Sequence, residues 1–179
     1  DLVRSRGLGD VYKRQLLFVP WMYGERTPFP NPHVRGAFLN LSLEHGPEDM
    51  VRALYEGVGY NLRWTLDAFD DAGHACRKLR AIGGGAQSDT WMQTLADITR
   101  TTVERVAAPQ LSGAIGAALI AGVGVGAIRD VLAIKSLVPV ERRFDPNASV
   151  RSIHETRYRT YRDFAPTLAH LVSRTGAHV

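Results

Sequence analysis

The segment best suited to chemistry is a glycine-rich run that reads IGGGAQSD from Ile82 to Asp89, called the glycine motif below. The preceding residues predict a strand over Lys78–Ile82, and Ser88 can cap a helix that extends to about Thr99. Glycines allow a sharp turn and let a ligand reach main-chain N–H groups, while a helix start adds unpaired donors and partial positive charge. The spacing suits a phosphate or the ribose of a nucleotide. A tight strand–helix turn without a ligand explains it equally well.

Two better-known phosphate motifs are excluded by the same residues. No Gly-Lys-Ser/Thr follows the glycines, as a P-loop would require, and the third glycine is wrongly spaced for a dinucleotide fingerprint. Metal chemistry has no support either, because the histidines lack the spacing of zinc ligands. These histidines are His33, His45, His74, His154, His170 and His178. The sequence therefore predicts no metal site.

Strand and helix signals alternate around the glycine motif. Apolar or alternating runs predict further strands over Leu16–Pro20, Ala37–Leu43 and Thr102–Val106. Helices are predicted from Pro47 to Phe69, over Gly113–Ala121 and over Arg151–Val172. The first of these carries an apolar stripe at three- and four-residue steps. Its members are Met50, Ala53, Leu54, Gly57, Val58, Leu62, Leu66 and Phe69. This alternation is typical of α/β layering.

Several conspicuous residues have structural interpretations. The uncharged run Leu111–Ile128 predicts a buried helix packed on a sheet, because its glycines argue against a membrane span. Tyr158–Phe164 mixes arginines with aromatic residues, but helical spacing predicts Tyr161, Phe164 and Leu168 on a core face and solvated arginines, which argues against a nucleic-acid site. Asn61 and Asp97 both fall within predicted helices, and we expect structural roles for them. The single cysteine, Cys76, excludes an internal disulfide and fits a reducing compartment.

Several segments together resemble the FGGY family of carbohydrate kinases. Gly83–Ser88 resembles the family's glycine-rich adenosine motif. Gly24–Pro28 (GERTP) looks like the loop before the second family signature, which reads here as Gly36–Leu41 and Asp49–Glu56. Gly113–Ala118 is similar to the small-residue helix that follows in the family. The pattern departs at Asn40, where the family has glycine. The resemblance covers nearly everything from Leu16 to the C-terminus.

The resemblance implies a fold and an activity. The fold is α/β, a ribonuclease H-like (actin-like ATPase) domain, and the chain is the C-terminal part of a two-domain sugar kinase. The intact enzyme would be cytoplasmic and would bind ATP with Mg²⁺. It would phosphorylate a pentulose such as D-xylulose, with glycerol, ribulose and gluconate as alternative acceptors. Its partners would be ATP and a small sugar or polyol, with no nucleic acid and no membrane, and a homodimer is left open.

The resemblance also assigns site residues. Those implied to bind the cofactor are Gly83, Gly84, Gly85, Ala86, Ser88 and Asp89. Glu25 and Arg26 are expected near the cleft, with no chemical role assigned to them. The family's aspartate base, most of its sugar contacts and its phosphate loops belong to chain that precedes Leu16. We therefore expect no catalytic residue in this chain and no activity from it alone.

Residues 1–15 stand apart from the rest. The stretch Ser5–Gln15 looks like the in-frame translation of a transposon sequencing adapter, which leaves 16–179 as the kinase domain. Of the net charge of +4, residues 1–15 contribute four basic and two acidic side chains, so +2 remains for the domain. So small a balance is weak evidence for an acidic partner. Two other hypotheses stay open, a free-standing nucleotide-binding module and a protein-interaction domain.

Overall fold

The computed structural model describes residues 16–129, 132 and 138–174, and the segment 1–15 lies outside the described residues. The strands are β1 (Leu17–Val19), β2 (Ala37–Leu39), β3 (Lys78–Ala81), β4 (Thr102–Val106) and β5 (Val140–Phe144). The helices are α1 (Pro47–Asp71), α2 (Asp89–Thr99), α3 (Ser112–Gly124) and α4 (Arg151–Arg174). Short 3₁₀ turns occupy Gly84–Gln87, Pro109–Leu111 and Ala148–Val150. The predicted alternation of strands and helices is confirmed.

The long helix α1 begins where its sequence predicts. Pro47 occupies the first helical position, where its missing N–H costs nothing, and Glu48 and Asp49 favour the positive helix start. The Asp49 carboxylate accepts a hydrogen bond from the Gly46 N–H at 3.1 Å. Gly57 lets the middle of α1 lie close to β1, since a Cβ there would stand 2.1 Å from the Phe18 carbonyl oxygen. The helix is thus fixed against the two-stranded β1–β2 sheet.

The second sheet positions the glycine motif. Its order is β3-β4-β5, with β3 parallel to β4 and β5 antiparallel to β4. Helix α2 connects the parallel pair, as such a crossover requires. Beneath α2 the core contains Ala86, Met92, Ala96, Val103 and Phe144. The glycine motif therefore runs from the end of β3 into α2, with Ala86 anchored in this core.

Two sequence predictions need correction. Strand β2 ends at Leu39 rather than Leu43, because Asn40 has a φ of +62°, a left-handed conformation that breaks the strand. Glycine and asparagine are the residues that adopt this conformation most readily, which explains why Asn40 can stand where the family has glycine.

The second correction concerns the apolar run Leu111–Ile128. Helix α3 forms within it, but none of the α3 residues is buried, and Ile120 is 71% exposed. Composition predicted the helix correctly and its burial wrongly, because burial depends on which other element covers a surface. None of the described helices is both long enough and apolar enough to cross a membrane.

Helix α4 packs against α1 and α2 through aromatic residues and paired charges. Tyr161 is buried, and Arg159 and Arg162 are exposed, as predicted. Phe164 and Leu168 are only half-buried, and Tyr158, which was not predicted to be in the core, is buried. Arg157 is also buried, and it makes a bidentate contact with Glu56 at 2.8 and 2.7 Å. A buried charge is tolerated only when it is paired in this way. The contact fixes the position of α4 along α1.

Candidate functional site

The backbone of the glycine motif forms one compact turn. Gly83 has a φ of +86°, and its N–H donates to the Pro109 carbonyl at 2.7 Å. The Ala86 and Ser88 N–H groups donate to the carbonyls of Gly83 and Gly85, at 3.2 and 3.1 Å. The Ser88 hydroxyl accepts from the Trp91 N–H at 3.2 Å, which confirms the predicted helix cap.

Four backbone N–H groups in and just after this turn are available to a ligand. The N–H groups of Gly84, Gly85, Asp89 and Thr90 have no hydrogen-bond partner within the part of the chain that the structure describes. Gly84, Gly85, Asp89 and Thr90 are all exposed. The first turn of a helix always leaves such donors, and anions are favoured there. The turn can therefore donate hydrogen bonds to phosphate or hydroxyl oxygens.

The fold requires glycine at two of the three positions, for different reasons. Gly83 adopts a left-handed conformation that other residues enter only at a cost. At Gly85, a Cβ would lie 2.4 Å from a ring carbon of Trp91. At Gly84, a Cβ would have nothing within 4 Å, and its φ lies outside the left-handed range. Two of the glycines are thus needed by the fold itself, while folding places no such demand on Gly84.

Trp91 packs against the glycine turn and against α1. Its ring stacks on Tyr55 of α1, with ring centres 4.9 Å apart and planes only 8° from parallel. The indole N–H is buried and has no hydrogen-bond partner among the described residues. Because Trp91 packs against both Gly85 and Tyr55, it connects the glycine turn to α1.

The side chains of the other predicted site residues make contacts within the fold. Ala86 is 2% exposed and belongs to the core. Asp89 accepts a hydrogen bond from Arg105 at 2.7 Å and makes a second, short contact with Arg142. With Ser88 engaged as the cap, the groups left for a ligand are the backbone of the turn and the space above Gly84.

A cavity of about 300 Å³ lies beside the turn. Its lining residues are Gln87, Arg105, Ala108, Pro109, Gln110 and Glu141. Three of these residues were not predicted from the sequence: Arg105 of β4, Gln110 of the following 3₁₀ turn and Glu141 of β5. The alternation along β4 could have indicated Arg105, since it places residue 105 on the same face as the buried Val103.

Glu25 and Arg26 lie in a separate loop held by α1. One Glu25 carboxylate oxygen accepts from the N–H groups of Arg26 and Thr27, at 2.7 and 3.1 Å. The other accepts from the Asn61 side-chain amide at 3.0 Å. Asn61 in turn accepts from the Trp21 indole N–H at 3.0 Å. The expected structural role of Asn61 is confirmed, Glu25 organises its loop, and the Arg26 side chain is exposed.

Asp97 also has the structural role expected of it. Its carboxylate accepts from the Gln93 amide and from the Asn147 N–H, both at 2.8 Å. Burial raises the pKa of this carboxyl, although both hydrogen bonds oppose the rise. Asp97 thereby ties α2 to the turn before α4. Among the described residues, no group of three or more His, Cys, Asp and Glu side chains could hold a metal ion.

Comparison with known proteins identifies the family of this chain. Residues 8–125 match the FGGY family of carbohydrate kinases, C-terminal domain. The chain belongs to this family. The FGGY match begins inside the segment 5–15, whose adapter origin stays a prediction.

Curated and solved FGGY relatives agree with this assignment. The xylulose kinase of Escherichia coli (strain K12) is 32% identical over 161 residues, which cover 90% of this chain and 33% of the relative. The gluconokinase of Bacillus subtilis (strain 168) is 35% identical over 132 residues, covering 73% of this chain and 26% of the relative. The chain thus spans about a quarter to a third of the length of these curated relatives.

The crystal structure of xylulose kinase from Rhodospirillum rubrum superposes with a TM-score of 0.77 and 30% identity, over 96% of this chain and 34% of that one. Gluconate kinase from Lactobacillus acidophilus gives a TM-score of 0.78 and 25% identity, over 98% and 35%. These likenesses confirm the predicted α/β, ribonuclease H-like fold of the actin-like ATPases.

Proposed function

We propose that this chain is the C-terminal, nucleotide-binding part of an ATP-dependent kinase that phosphorylates a pentulose such as D-xylulose. The observation that carries the proposal is the glycine motif, whose open N–H donors and uncovered Gly84 suit a nucleotide. The name xylulose kinase among the relatives supports a pentulose. A sugar acid is the second candidate, since a gluconokinase is similarly related.

The residues present fit one side of a nucleotide. The amides of Gly84 and Gly85 would bind a phosphate or ribose oxygen, and the start of α2 would favour its negative charge. Bound ATP supplies the phosphoryl group that is transferred, and Mg²⁺ bound with it offsets phosphate charge. This chain's contribution is to hold and orient the nucleotide. Proper orientation accounts for much of the catalysis of phosphoryl transfer.

The structure also determines which glycine tests the proposal. Gly85→Val would collide with Trp91, so its effect on ATP could reflect a distorted turn. The Cβ of Gly84→Val would meet no protein atom within 4 Å, so the substitution would extend into the space offered to a ligand. Gly84 is therefore the informative position.

The test uses a kinase in which the N-terminal part of a homologous xylulose kinase is fused to residues 16–179. We expect Gly84→Val to raise the KM for ATP by about tenfold or more, the effect of losing one hydrogen bond to a charged group, while the KM for D-xylulose changes little. Ala148→Val, on the exposed turn before α4, is the control and should leave both KM values unchanged. An unchanged KM for ATP in a folded, active Gly84→Val enzyme would show that the motif is only a turn.

Two further tests separate this proposal from its alternatives. The 179-residue chain should form no sugar phosphate from ATP and D-xylulose, because the base and sugar contacts are expected elsewhere. Turnover above background would contradict that expectation. Genomic sequence upstream of the Leu16 codon should continue into the other kinase half. A native start codon at that point would instead support a free-standing nucleotide-binding module or a protein-interaction domain.

A further inference from the structure

Arg105 reaches the glycine turn from the sheet. It is the fourth residue of β4 and faces the same side as Val103, toward the core beneath α2. Its side chain is only 12% exposed. A guanidinium group this far removed from water is tolerated only when acceptors surround it. The identity of those acceptors therefore indicates what the residue does.

The Arg105 guanidinium faces the C-terminal end of the 3₁₀ turn. Its Nη1 donates to the Asp89 carboxylate at 2.7 Å and lies 3.4 and 3.5 Å from the carbonyl oxygens of Gln87 and Ala86. Carbonyls at a helix end lack intrahelical partners and favour a nearby positive charge. The Nε lies 3.2 Å from the Glu141 carboxylate, without hydrogen-bond geometry. One side chain thus contacts both the end of the turn and the first residue of α2.

These contacts belong to the same turn as the Gly84 and Gly85 amides. Gly84 and Gly85 begin the 3₁₀ turn whose last two carbonyls face Arg105, and Asp89 begins the helix that follows. A shift of the turn relative to β4 would therefore move the donors proposed to bind the nucleotide. Asp89 is also held by Arg142 of β5, so the turn is fixed to two strands.

We propose that Arg105 is a positioning residue for the nucleotide: its guanidinium fixes the glycine turn so that the Gly84 and Gly85 amides face the ligand. The inference rests on the proposed function of the glycine motif. Arg105 itself need not touch the nucleotide. Lysine would retain the charge but not the planar fork, so it should substitute only in part.

The experiment is a titration of the full 179-residue chain with MgATP, followed through the amide NMR signals of Gly84 and Gly85. We expect Arg105→Met to weaken MgATP binding about tenfold, and Arg105→Lys to fall between it and the unchanged chain. The matched control is Arg143→Met on β5. Arg143 pairs instead with Asp145 at 2.9 Å, is 55% exposed, and should affect the Kd by less than about twofold.

Amide hydrogen exchange measures whether the glycine turn stays in place. In Arg105→Met, exchange should accelerate at the Ala86 and Ser88 amides, which close the turn, and remain unchanged in the middle of α2. Asp89→Asn should weaken MgATP binding as well. Its effect and that of Arg105→Met should combine less than additively, because the two residues act as one unit.

The outcomes are distinguishable. If Gly84→Val weakens MgATP binding and folded Arg105→Met does not, the positioning role is wrong and the nucleotide site stands. If the unchanged chain shows no saturable shifts at Gly84 and Gly85, the nucleotide site is wrong and this inference fails with it. If Arg105→Met does not fold, Arg105→Lys decides: a Kd equal to that of the unchanged chain, with unchanged exchange at Ala86 and Ser88, overturns the proposal.

Discussion

Replacing each exposed glycine of the turn with alanine should separate the demands of folding from those of ligand binding. At Gly85 the added Cβ would lie 2.4 Å from a Trp91 ring carbon, whereas carbon atoms normally pack about 3.5–4.0 Å apart. Trp91 cannot easily move, because its ring is stacked on that of Tyr55 with centres 4.9 Å apart. Overpacking of this kind costs about 1–3 kcal/mol. We therefore expect Gly85→Ala to lower the free energy of unfolding by about 2 kcal/mol.

Gly84→Ala is the matched comparison, one residue away in the same turn. Its Cβ would meet nothing within 4 Å, and its backbone lies outside the left-handed range. Its free energy of unfolding should therefore change by less than about 0.5 kcal/mol, or rise slightly because alanine restricts the unfolded chain.

Urea denaturation followed by tryptophan fluorescence measures both effects. With an m-value of about 2 kcal/mol/M, the Gly85→Ala midpoint should fall by about 1 M and the Gly84→Ala midpoint should not move. Trp91→Leu should relieve the collision, so its cost and that of Gly85→Ala should combine less than additively. Equal midpoints for the two alanine variants, or simple additivity with Trp91→Leu, would refute the packing argument.

Two further predictions concern the α1–α4 interface. Burial, with the nearby charges of Arg157 and Arg63, lowers the pKa of His154 from 6.5 to about 4. As the pH falls, the unfolded chain takes up this proton before the folded protein does. The free energy of unfolding should therefore fall by about 3 kcal/mol between pH 6.5 and pH 4. His154→Gln should flatten that part of a urea-denaturation pH series, and an unchanged slope would contradict the assignment. Arg157→Met leaves the Glu56 carboxylate, only 5% exposed, without its bidentate partner, and should cost about 3–5 kcal/mol in the same assay. Adding Glu56→Gln should recover part of that loss, and no recovery would show that the carboxylate was not the cause.

Local sequence patterns were sufficient for the elements that carry the glycine motif. The Pro47 helix start, the Ser88 cap and the strand Thr102–Val106 were all predicted correctly, because proline, serine and β-branched residues act within a few positions of themselves. Strand β5 was not predicted. It reads VERRF and, except for Phe144, is exposed, so it lacks the apolar alternation that indicates a half-buried strand.

The apolar stripe predicted for α1 was only partly correct. Leu54 and Phe69, both assigned to the stripe, are 36% and 52% exposed. The buried face instead includes Glu56 and Arg63, whose partners Arg157 and Glu155 come from α4. Hydrophobic periodicity cannot identify a buried charge whose partner lies about a hundred residues away in the chain. The stack of Trp91 on Tyr55 was not predicted for the same reason, since it joins two distant segments.

Helix α1 links the two loops that the family resemblance singles out. Tyr55 supports the glycine turn through its stack on Trp91, and Asn61 holds the loop of Glu25 by a 3.0 Å hydrogen bond. These two residues are six positions apart, so a rise of about 1.5 Å per residue separates them by about 9 Å along the helix axis. Both loops are therefore positioned by one rigid element rather than by each other. A change that bends α1 between Tyr55 and Asn61 would alter the spacing of the two loops without touching either of them. Gly57 lies within this interval, and its close approach to Phe18 fixes the interval to β1.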